Sequence, residues 1–463
     1  REGLVQKAAG YSHETLMKDL KAAASISALE SSWFEYKYNS IYARAGYNLS
    51  DRYLVNLTLR RDGSSRFGPQ KRFANFGAIG AAWIFSEEKL IRTLLSPLSF
   101  GKIRVSYGTT GSDQIGDYQY QELWQPVSYP YQNQAGVEPS RIANPYFSWE
   151  VNKKLEAAID LEFLSGRIAS SISWYNNRSS SQLVGYALPP STGFSSIQDN
   201  LPALIQNTGL EVVLSGLPFR QGPFRWATAV NFTAPRNQLL AFPELETSSY
   251  AAVYAVWKPL SVRYKYRYTG VDTDTGVYQF EDLNNDGTIT PAGDRVFEKN
   301  VARRYYGGIQ NSLSWKKIKL DFLVEFVRQT GTNYMGGFNV PGFRGNQPTW
   351  VLDRWQQAGD KTGTQRYTQR VASPAWSAYI SRSLTYGDNI IVDASYLRLK
   401  NISLSYTFDS GFIRKVGLNN LSFQIQGQNL LTITGYKGLD PESQSLTSLP
   451  PLRIVSSGLS INF

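Results

Sequence analysis

Cysteine is absent from this chain of 463 residues, and histidine occurs once, as His13. Without thiols there is no disulfide framework, no thiolate nucleophile and no cysteine-based zinc site. A Ser-His-Asp hydrolase or a histidine-ligated metal centre would depend on His13 alone. Long apolar runs are missing too. No stretch approaches the roughly 20 apolar residues that a membrane-spanning helix requires, and the mean hydropathy is below zero. If the chain crosses a membrane it must do so as strands, and in hydrocarbon strands must close into a barrel to leave no edge unpaired. Charge is sparse, at 18% of residues. Lys and Arg exceed Asp and Glu, 48 against 37, but the basic residues are scattered singly along the chain, which argues against a nucleic-acid partner. The start shows no basic-then-apolar leader, and Arg1 is not an initiator methionine, so the reading expects a chain that begins in mid-protein.

What is abundant is aromatic. Phe, Trp and Tyr make up 14% of the chain, with 29 Tyr and 11 Trp, an excess that suits the interfacial girdle of a membrane barrel. From about Asn39 onward, apolar and polar residues alternate with the period of two that marks strands with one greasy face. Ile41, Ala43, Ala45, Tyr47 and Leu49 share one face; Tyr42, Arg44, Gly46 and Asn48 share the other. After the polar turn Ser50-Asp51-Arg52, the pattern resumes with Tyr53, Val55, Leu57 and Leu59. The same signature returns at Leu155 to Phe163, Ile168 to Trp174, Leu210 to Leu214, Trp226 to Phe232 and Ile318 to Phe326.

In a soluble sandwich the apolar face would be the core, whereas in a wide barrel it faces lipid and the polar face lines a wet lumen. Connection lengths favour the barrel. Tight turns such as Leu164-Ser165-Gly166-Arg167 alternate with long loops at about 110–148, 234–260, 269–304 and 329–394, short at one end and long at the other. Counting alternating segments gives about fourteen strands. Leu397 and Leu399 are odd while Ile402, Leu404 and Tyr406 are even, which predicts a bulge near Asn401. A short helix is expected from Glu87 to Leu95, with acidic residues in its first turn. Residues 1–33 are set apart as a loop, with a helix around Leu16, Leu20 and Ile26, or as a partial upstream barrel segment. Residues 34–463 form the barrel portion.

The last eight residues, Ser456-Ser457-Gly458-Leu459-Ser460-Ile461-Asn462-Phe463, alternate and stop on an aromatic. They resemble the carboxy-terminal signal by which outer-membrane proteins are recognised for barrel assembly, with Ser456, Gly458, Ile461 and Phe463 at the marked positions. Internal phrases carry a further resemblance. Asp51-Arg52-Tyr53-Leu54, Leu59-Arg60-Arg61-Asp62-Gly63-Ser64-Ser65-Arg66-Phe67-Gly68 and Arg104-Val105-Ser106-Tyr107-Gly108-Thr109-Thr110-Gly111 are three of them. Others are Asn144-Pro145 with Trp149-Glu150, Asn207-Thr208-Gly209-Leu210-Glu211, Ala394-Ser395-Tyr396-Leu397-Arg398-Leu399-Lys400-Asn401, Gln428-Asn429-Leu430, and Tyr436 through Gly438-Leu439-Asp440-Pro441-Glu442. Together these resemble the SusC/RagA family of TonB-dependent transporters over nearly all of residues 34–463.

The resemblance implies an all-β transmembrane antiparallel barrel of about 22 strands, of which this chain supplies the carboxy-terminal portion. It also implies residence in the outer membrane of Bacteroidetes-type bacteria and import of a bulky nutrient, either oligosaccharide or peptide. The implied partners are a SusD-like surface lipoprotein acting as lid, TonB through an amino-terminal plug region expected upstream of this chain, the barrel assembly machinery, and outer-membrane lipid. No covalent chemistry and no required cofactor are implied. A passive porin or adhesin barrel, or a soluble β-rich binding module, are the competing readings. The family phrases speak against the first, and the lack of any 40–50-residue repeat speaks against a propeller.

One further motif concerns metal. Asp282-Leu283-Asn284-Asn285-Asp286-Gly287-Thr288 follows the opening of a calcium loop, with oxygen ligands at the first, third and fifth positions, glycine at the sixth and a carbonyl at the seventh. The twelfth position is Gly293, with Asp294 one residue later. A calcium ion held by Asp282, Asn284, Asp286, Thr288 and Asp294 and a metal-free Asx-turn loop both remain open. Asp272 and Asp274 sit in a Gly- and Thr-rich stretch that reads as a solvated turn rather than a catalytic pair. Arg354-Trp355 and Gly359-Asp360 read as loop packing. Trp124, Tyr129, Tyr131, Trp257, Tyr264, Tyr266, Trp350 and Trp376 could stack on sugars, but packing on one another or lying at the membrane interface is favoured.

Overall fold

The computed structural model describes residues 2–127, 129, 132, 134, 136–219, 222–408, 411 and 418–462. Phe463 and Tyr131 therefore lie outside the described residues. Thirteen strands pair in one continuous antiparallel sheet, in line with the expected count. They are β1 (Tyr38–Leu49), β2 (Tyr53–Ser64), β3 (Phe73–Trp83), β4 (Leu98–Ser112), β5 (Glu150–Phe163), β6 (Ile168–Ala187), β7 (Ser196–Phe219), β8 (Phe224–Ala241), β9 (Tyr305–Trp315), β10 (Ile318–Arg328), β11 (Tyr396–Thr407), β12 (Asn420–Thr434) and β13 (Ile454–Asn462). Each strand lies beside its sequence neighbour, so the sheet is an up-and-down meander with β1 and β13 at its edges.

Tight turns require residues that tolerate the left-handed region. Ser50 and Asp51 connect β1 to β2 at φ 55° and 53°, both central positions left-handed as a type I′ hairpin turn demands. The Asn48 amide donates to Asp51 Oδ1 at 2.6 Å across this turn. Leu164, Ser165 and Gly166 turn β5 into β6, and Lys316 turns β9 into β10, all at positive φ. The opposite end carries the long connections, notably 113–149, 242–304, 329–395 and 435–453.

Register shows which face is which. Leu49, Tyr53, Trp83, Ile103, Ile159, Ile172, Val212, Phe232, Gly307, Phe326, Leu397 and Ile433 are successive cross-strand partners. This row runs across twelve strands and is apolar but for one glycine. Among the described residues no second layer covers it: Leu49, Tyr53, Trp83, Leu397 and Ile433 are all exposed. In water such a continuous band would be far larger than the apolar patches that monomers tolerate, so a soluble sandwich is excluded. The row three residues away, on the opposite face, carries the other chemistry: Gly46, Asn56, Gly80, Ser106, Glu156, Tyr175 and Gly209. No helix among the described residues is long and apolar enough to cross a membrane.

The clusters of buried apolar residues lie at the long-loop end instead of against the sheet face. One cluster joins Phe67, Phe76, Phe147 and Trp149, a second Leu201, Ala203, Leu239, Phe242 and Leu245, and a third Tyr266, Tyr278, Phe280, Val340, Ala378 and Tyr379. The loops thus form a packed body on the rim.

Three expectations are corrected. The loop placed at 234–260 starts only after Ala241, because residues 234–241 continue the pairing of β8 with β7. Pro235 is tolerated there because pairing with β9 stops at Thr233, which leaves that flank without a ladder to break. The helix expected from Glu87 to Leu95 is a 3-10 turn, Phe85–Glu87, followed by α1 (Lys89–Leu94). Glu88 stands at its N-cap, not in its first turn, and its carboxylate accepts from the Tyr53 hydroxyl at 2.7 Å. Around Leu16, Leu20 and Ile26 there is no α-helix: Glu2–Ala9 and Ser25–Trp33 pair as an antiparallel hairpin. Its connection holds two 3-10 turns, and His13 caps one by accepting from Thr15 N. The bulge expected near Asn401 is present: it falls on Lys400, where Leu399 and Asn401 face the consecutive residues Val324 and Leu323 of β10.

Candidate functional site

The polar face of the sheet is a concave wall. It holds a recess of about 820 Å³ lined by Arg104, Lys154, Glu156, Tyr175, Asn207 and Glu211 among others. Arg104 on β4 bridges two carboxylates of β5, ion-paired to Glu156 and 3.3 Å from Asp160. Asp160 also accepts from the Ser171 hydroxyl of β6 at 2.7 Å. Tyr175 lies flat against β7 because residue 209 is glycine: a Cβ there would sit 2.5 Å from the tyrosine oxygen. Hydroxyls, amides and paired charges thus cover a wall that can hydrogen-bond a polar ligand.

At the rim, the family phrases meet in space. Phe67 packs on Trp149 with ring centroids 4.9 Å apart, and the Trp149 indole donates to the Arg72 carbonyl at 2.9 Å. A Cβ on Gly68 would lie 1.9 Å from the Pro145 carbonyl oxygen. The stretch ending Arg66-Phe67-Gly68 therefore locks onto Asn144-Pro145 and Trp149. Arg66 ties the same corner to Asp117 at 2.9 Å.

A second junction joins 394–401 to 436–442. Arg398 is 1% exposed. Its guanidinium pairs with Asp440, donates to Glu442 at 2.6 Å and donates through Nε to the Thr432 hydroxyl at 3.0 Å. Lys400, placed by the bulge, bridges Glu442 at 3.0 Å and Glu325 at 3.2 Å. In sequence the two phrases stand apart, and the opposite charges at Arg398 and Asp440 are the signal that joins them.

The loop aromatics divide into two groups. Tyr266, Trp350 and Trp376 belong to the third buried cluster, and burial pushes the Tyr268 and Tyr379 phenols within it up to about 12. Trp124, Tyr129 and Trp257 are exposed. Asp272 closes a turn, accepting from Asp274 N, Thr275 N and the Thr275 hydroxyl, bonds that hold its carboxyl below the usual range. Trp355 donates to the Thr273 carbonyl at 2.8 Å and Arg354 lies 3.9 Å over Tyr367, so this stretch packs the loop.

In the Asp-rich loop, Gly287 sits at φ 81° and donates to Asp282 Oδ2 at 2.7 Å. Asp286 accepts from Thr288 N and its hydroxyl, which lowers its carboxyl. Asp294 is fully buried and spends both oxygens on Leu283 N and Thr290 N. Asp282 Oδ1 is buried with no partner. Asn284, Asp286 and Asp282 Oδ2 are engaged in hydrogen bonds within the loop, and Asp294 serves the loop backbone, which leaves Asp282 Oδ1 as the free carboxylate oxygen. Among the described residues no three acidic or histidine side chains gather at one point. Ser456, Gly458 and Ile461 lie on β13, opposite Gln426, Gln424 and Leu421.

Residues 20–430 match the family model of the TonB dependent receptor-like β-barrel. The chain belongs to this family. TonB-dependent receptor P39 of Formosa agariphila is 27% identical over 87% of this chain and 43% of its own length. TonB-dependent receptor SusC of Bacteroides thetaiotaomicron is 26% identical over 92% of this chain and 43% of its own. A solved structure described as the RagAB peptide transporter superposes with a TM-score of 0.82 at 22% identity, over all of this chain and 52% of that one. The SusC/RagA resemblance and the barrel fold stand on these matches, and the family is one of transporters and receptors, not enzymes. This chain spans a little under half the length of the curated relatives it matches.

Proposed function

We propose that the chain is the barrel wall of a SusC-like TonB-dependent transporter that imports an oligosaccharide across the outer membrane. The observation that carries this reading is the uncovered apolar row across twelve strands backed by a polar, concave inner wall, in a chain of this family. An open sheet cannot stay in lipid, so strands outside this chain complete the barrel between β1 and β13. The inner wall offers hydroxyls and amides, among them Ser171, Ser173, Asn177 and Asn207, the donor and acceptor mixture that sugar hydroxyls require. Peptide is the other cargo to be tested.

A SusD-like surface lipoprotein would close over the loop body, and TonB would act through a segment outside this chain. Ser456, Gly458, Ile461 and Phe463 would present the final strand to the barrel assembly machinery. We assign the Asp-rich loop to calcium, held by Asp282, Asn284, Asp286 and the Thr288 carbonyl, with the unpartnered Asp282 Oδ1 as support. Its contribution would be to the order of the loop.

The test is fractionation joined to uptake. The protein is expected in the outer-membrane fraction with heat-modifiable gel mobility, and a strain lacking it should fail to take up one class of oligosaccharide. Recovery as a soluble protein, or a strain that takes up every oligosaccharide and peptide tried at the wild-type rate, would overturn the reading.

A further inference from the structure

The loop between β8 and β9 carries a group of cations with no anion of its own. Val262–Lys265 pairs antiparallel with Phe297–Asn300 and forms one wall of a recess of about 700 Å³. Arg263, Lys265 and Arg295 line it together with Tyr264 and Tyr386, and no Asp or Glu contributes to it. Lys265 is 8% exposed. An ammonium has three donors, and one is taken, by the Thr385 carbonyl at 3.1 Å. Desolvation first, then repulsion from Arg263 and Arg295, holds its pKa below that of an ordinary lysine.

The neighbouring carboxylates are committed elsewhere. Glu298 pairs with Lys258 at 2.8 Å, Asp388 with Lys299 at 3.5 Å, and Asp294 with backbone N–H groups. Arg295 is stacked 4.6 Å over the Tyr386 ring, which fixes its plane, and Arg263 donates to the Val262 carbonyl. Neither arginine forms an ion pair among the described residues. A buried charge left unpaired is costly. An incoming oxyanion would remove that cost and meet two guanidinium forks suited to carboxylate or sulfate, while the tyrosines offer flat apolar faces beside it.

We propose that Arg263, Lys265 and Arg295 form an oxyanion site that takes a carboxylate or sulfate substituent of the imported oligosaccharide, a proposal that rests on the transporter reading above. The protein selects acidic glycans by this recess. Lys265 supplies the buried charge and Arg295 the oriented fork.

The experiment is calorimetric titration of the full-length protein in detergent with tri-galacturonate, a sulfated trisaccharide, maltotriose, triglutamate and inorganic sulfate. At least one acidic trisaccharide should bind, more weakly as salt rises. Lys265→Met and Arg295→Gln should each weaken it by about tenfold or more and leave any maltotriose binding unchanged. Arg263→Gln, at an exposed residue, provides a variant whose folding is safe, and heat-modifiable mobility checks all three. Failure of both acidic trisaccharides to bind, binding that all three variants retain in full, or binding only of triglutamate or inorganic sulfate would overturn the proposal. Oligosaccharide uptake that depends on the protein, without acidic-glycan binding, would sink the site and leave the transporter standing. Uptake that does not depend on the protein would sink the transporter reading.

Discussion

Arg398→Met should release the loop 435–453 from the rim while the barrel strands stay paired. Arg398 is buried and pairs with Asp440, Glu442 and Thr432 across β11, β12 and this loop. Removing it leaves Asp440, 4% exposed, as a desolvated carboxylate, whereas Glu442 keeps Lys400. Breaking a buried pair from one side costs about 3–5 kcal/mol. Asp440 also accepts from the Glu442 and Ser443 amides at 3.0 Å each, so its displacement would unlatch both. If that cost opens the loop locally, amide exchange at 442 and 443 should speed up by about two to three and a half orders of magnitude. Exchange in β10 and β12 should change little. Arg398→Met/Asp440→Leu, which removes both charges, should recover most of the protection, since replacing a buried pair with apolar groups is often neutral. Acceleration below about tenfold in the single variant, or no recovery in the double, would refute the latch.

Gly68→Ala should disrupt the corner between 65–72 and 144–149, because the new Cβ meets the Pro145 carbonyl; a cost of at least about 1–3 kcal/mol should show as earlier thermal loss and faster proteolytic nicking there. In the Asp-rich loop, hydrogen bonds depress the Asp286 carboxyl below its ordinary 3.8. Its contribution is present above that value and is lost as pH falls further, so exchange at Thr288 N should accelerate only below about pH 4. The Tyr268 and Tyr379 phenols, raised to about 12, should resist ionisation past the ordinary value near 10; the loop body should lose stability as pH rises from about 10 to 12, followed by tyrosinate absorbance. Calcium titration should give uptake that Asp282→Asn weakens, and heat-free titration of the wild type would remove the metal assignment.

Much of the wall was legible because a period of two is a local signal. Ile41 to Leu49 and Ile318 to Phe326 alternate without interruption, and the parity change between Leu399 and Ile402 pointed to the bulge. What failed were the places where pairing, not polarity, decides. The stretch Pro235-Arg236-Asn237-Gln238 reads as a turn, yet it remains strand because β7 continues beside it. The 24 residues of β7 exceed the roughly 9–11 that cross a bilayer, so the strand rises into the loop body. The Ala and Lys content of residues 1–33 suits a loop helix, but Ser25–Trp33 pairs with Glu2–Ala9 instead. The rim junctions could not be read from either phrase alone, since Phe67 and Trp149, or Arg398 and Asp440, are far apart in sequence. The cations at 263, 265 and 295 look like ordinary scattered charge until the loop folds and buries Lys265.

The central claim is that the apolar row faces lipid and its neighbours face a wet lumen. The chain has no cysteine, so single labels at Leu57→Cys, Ile172→Cys and Leu404→Cys can be compared with labels at Thr58→Cys, Ser171→Cys and Ser403→Cys in the full-length protein reconstituted in bilayers. Fluorophores on the first three should be quenched by brominated lipid and shielded from aqueous iodide, and those on the second three should show the reverse. Equal quenching by iodide on both faces would contradict the barrel.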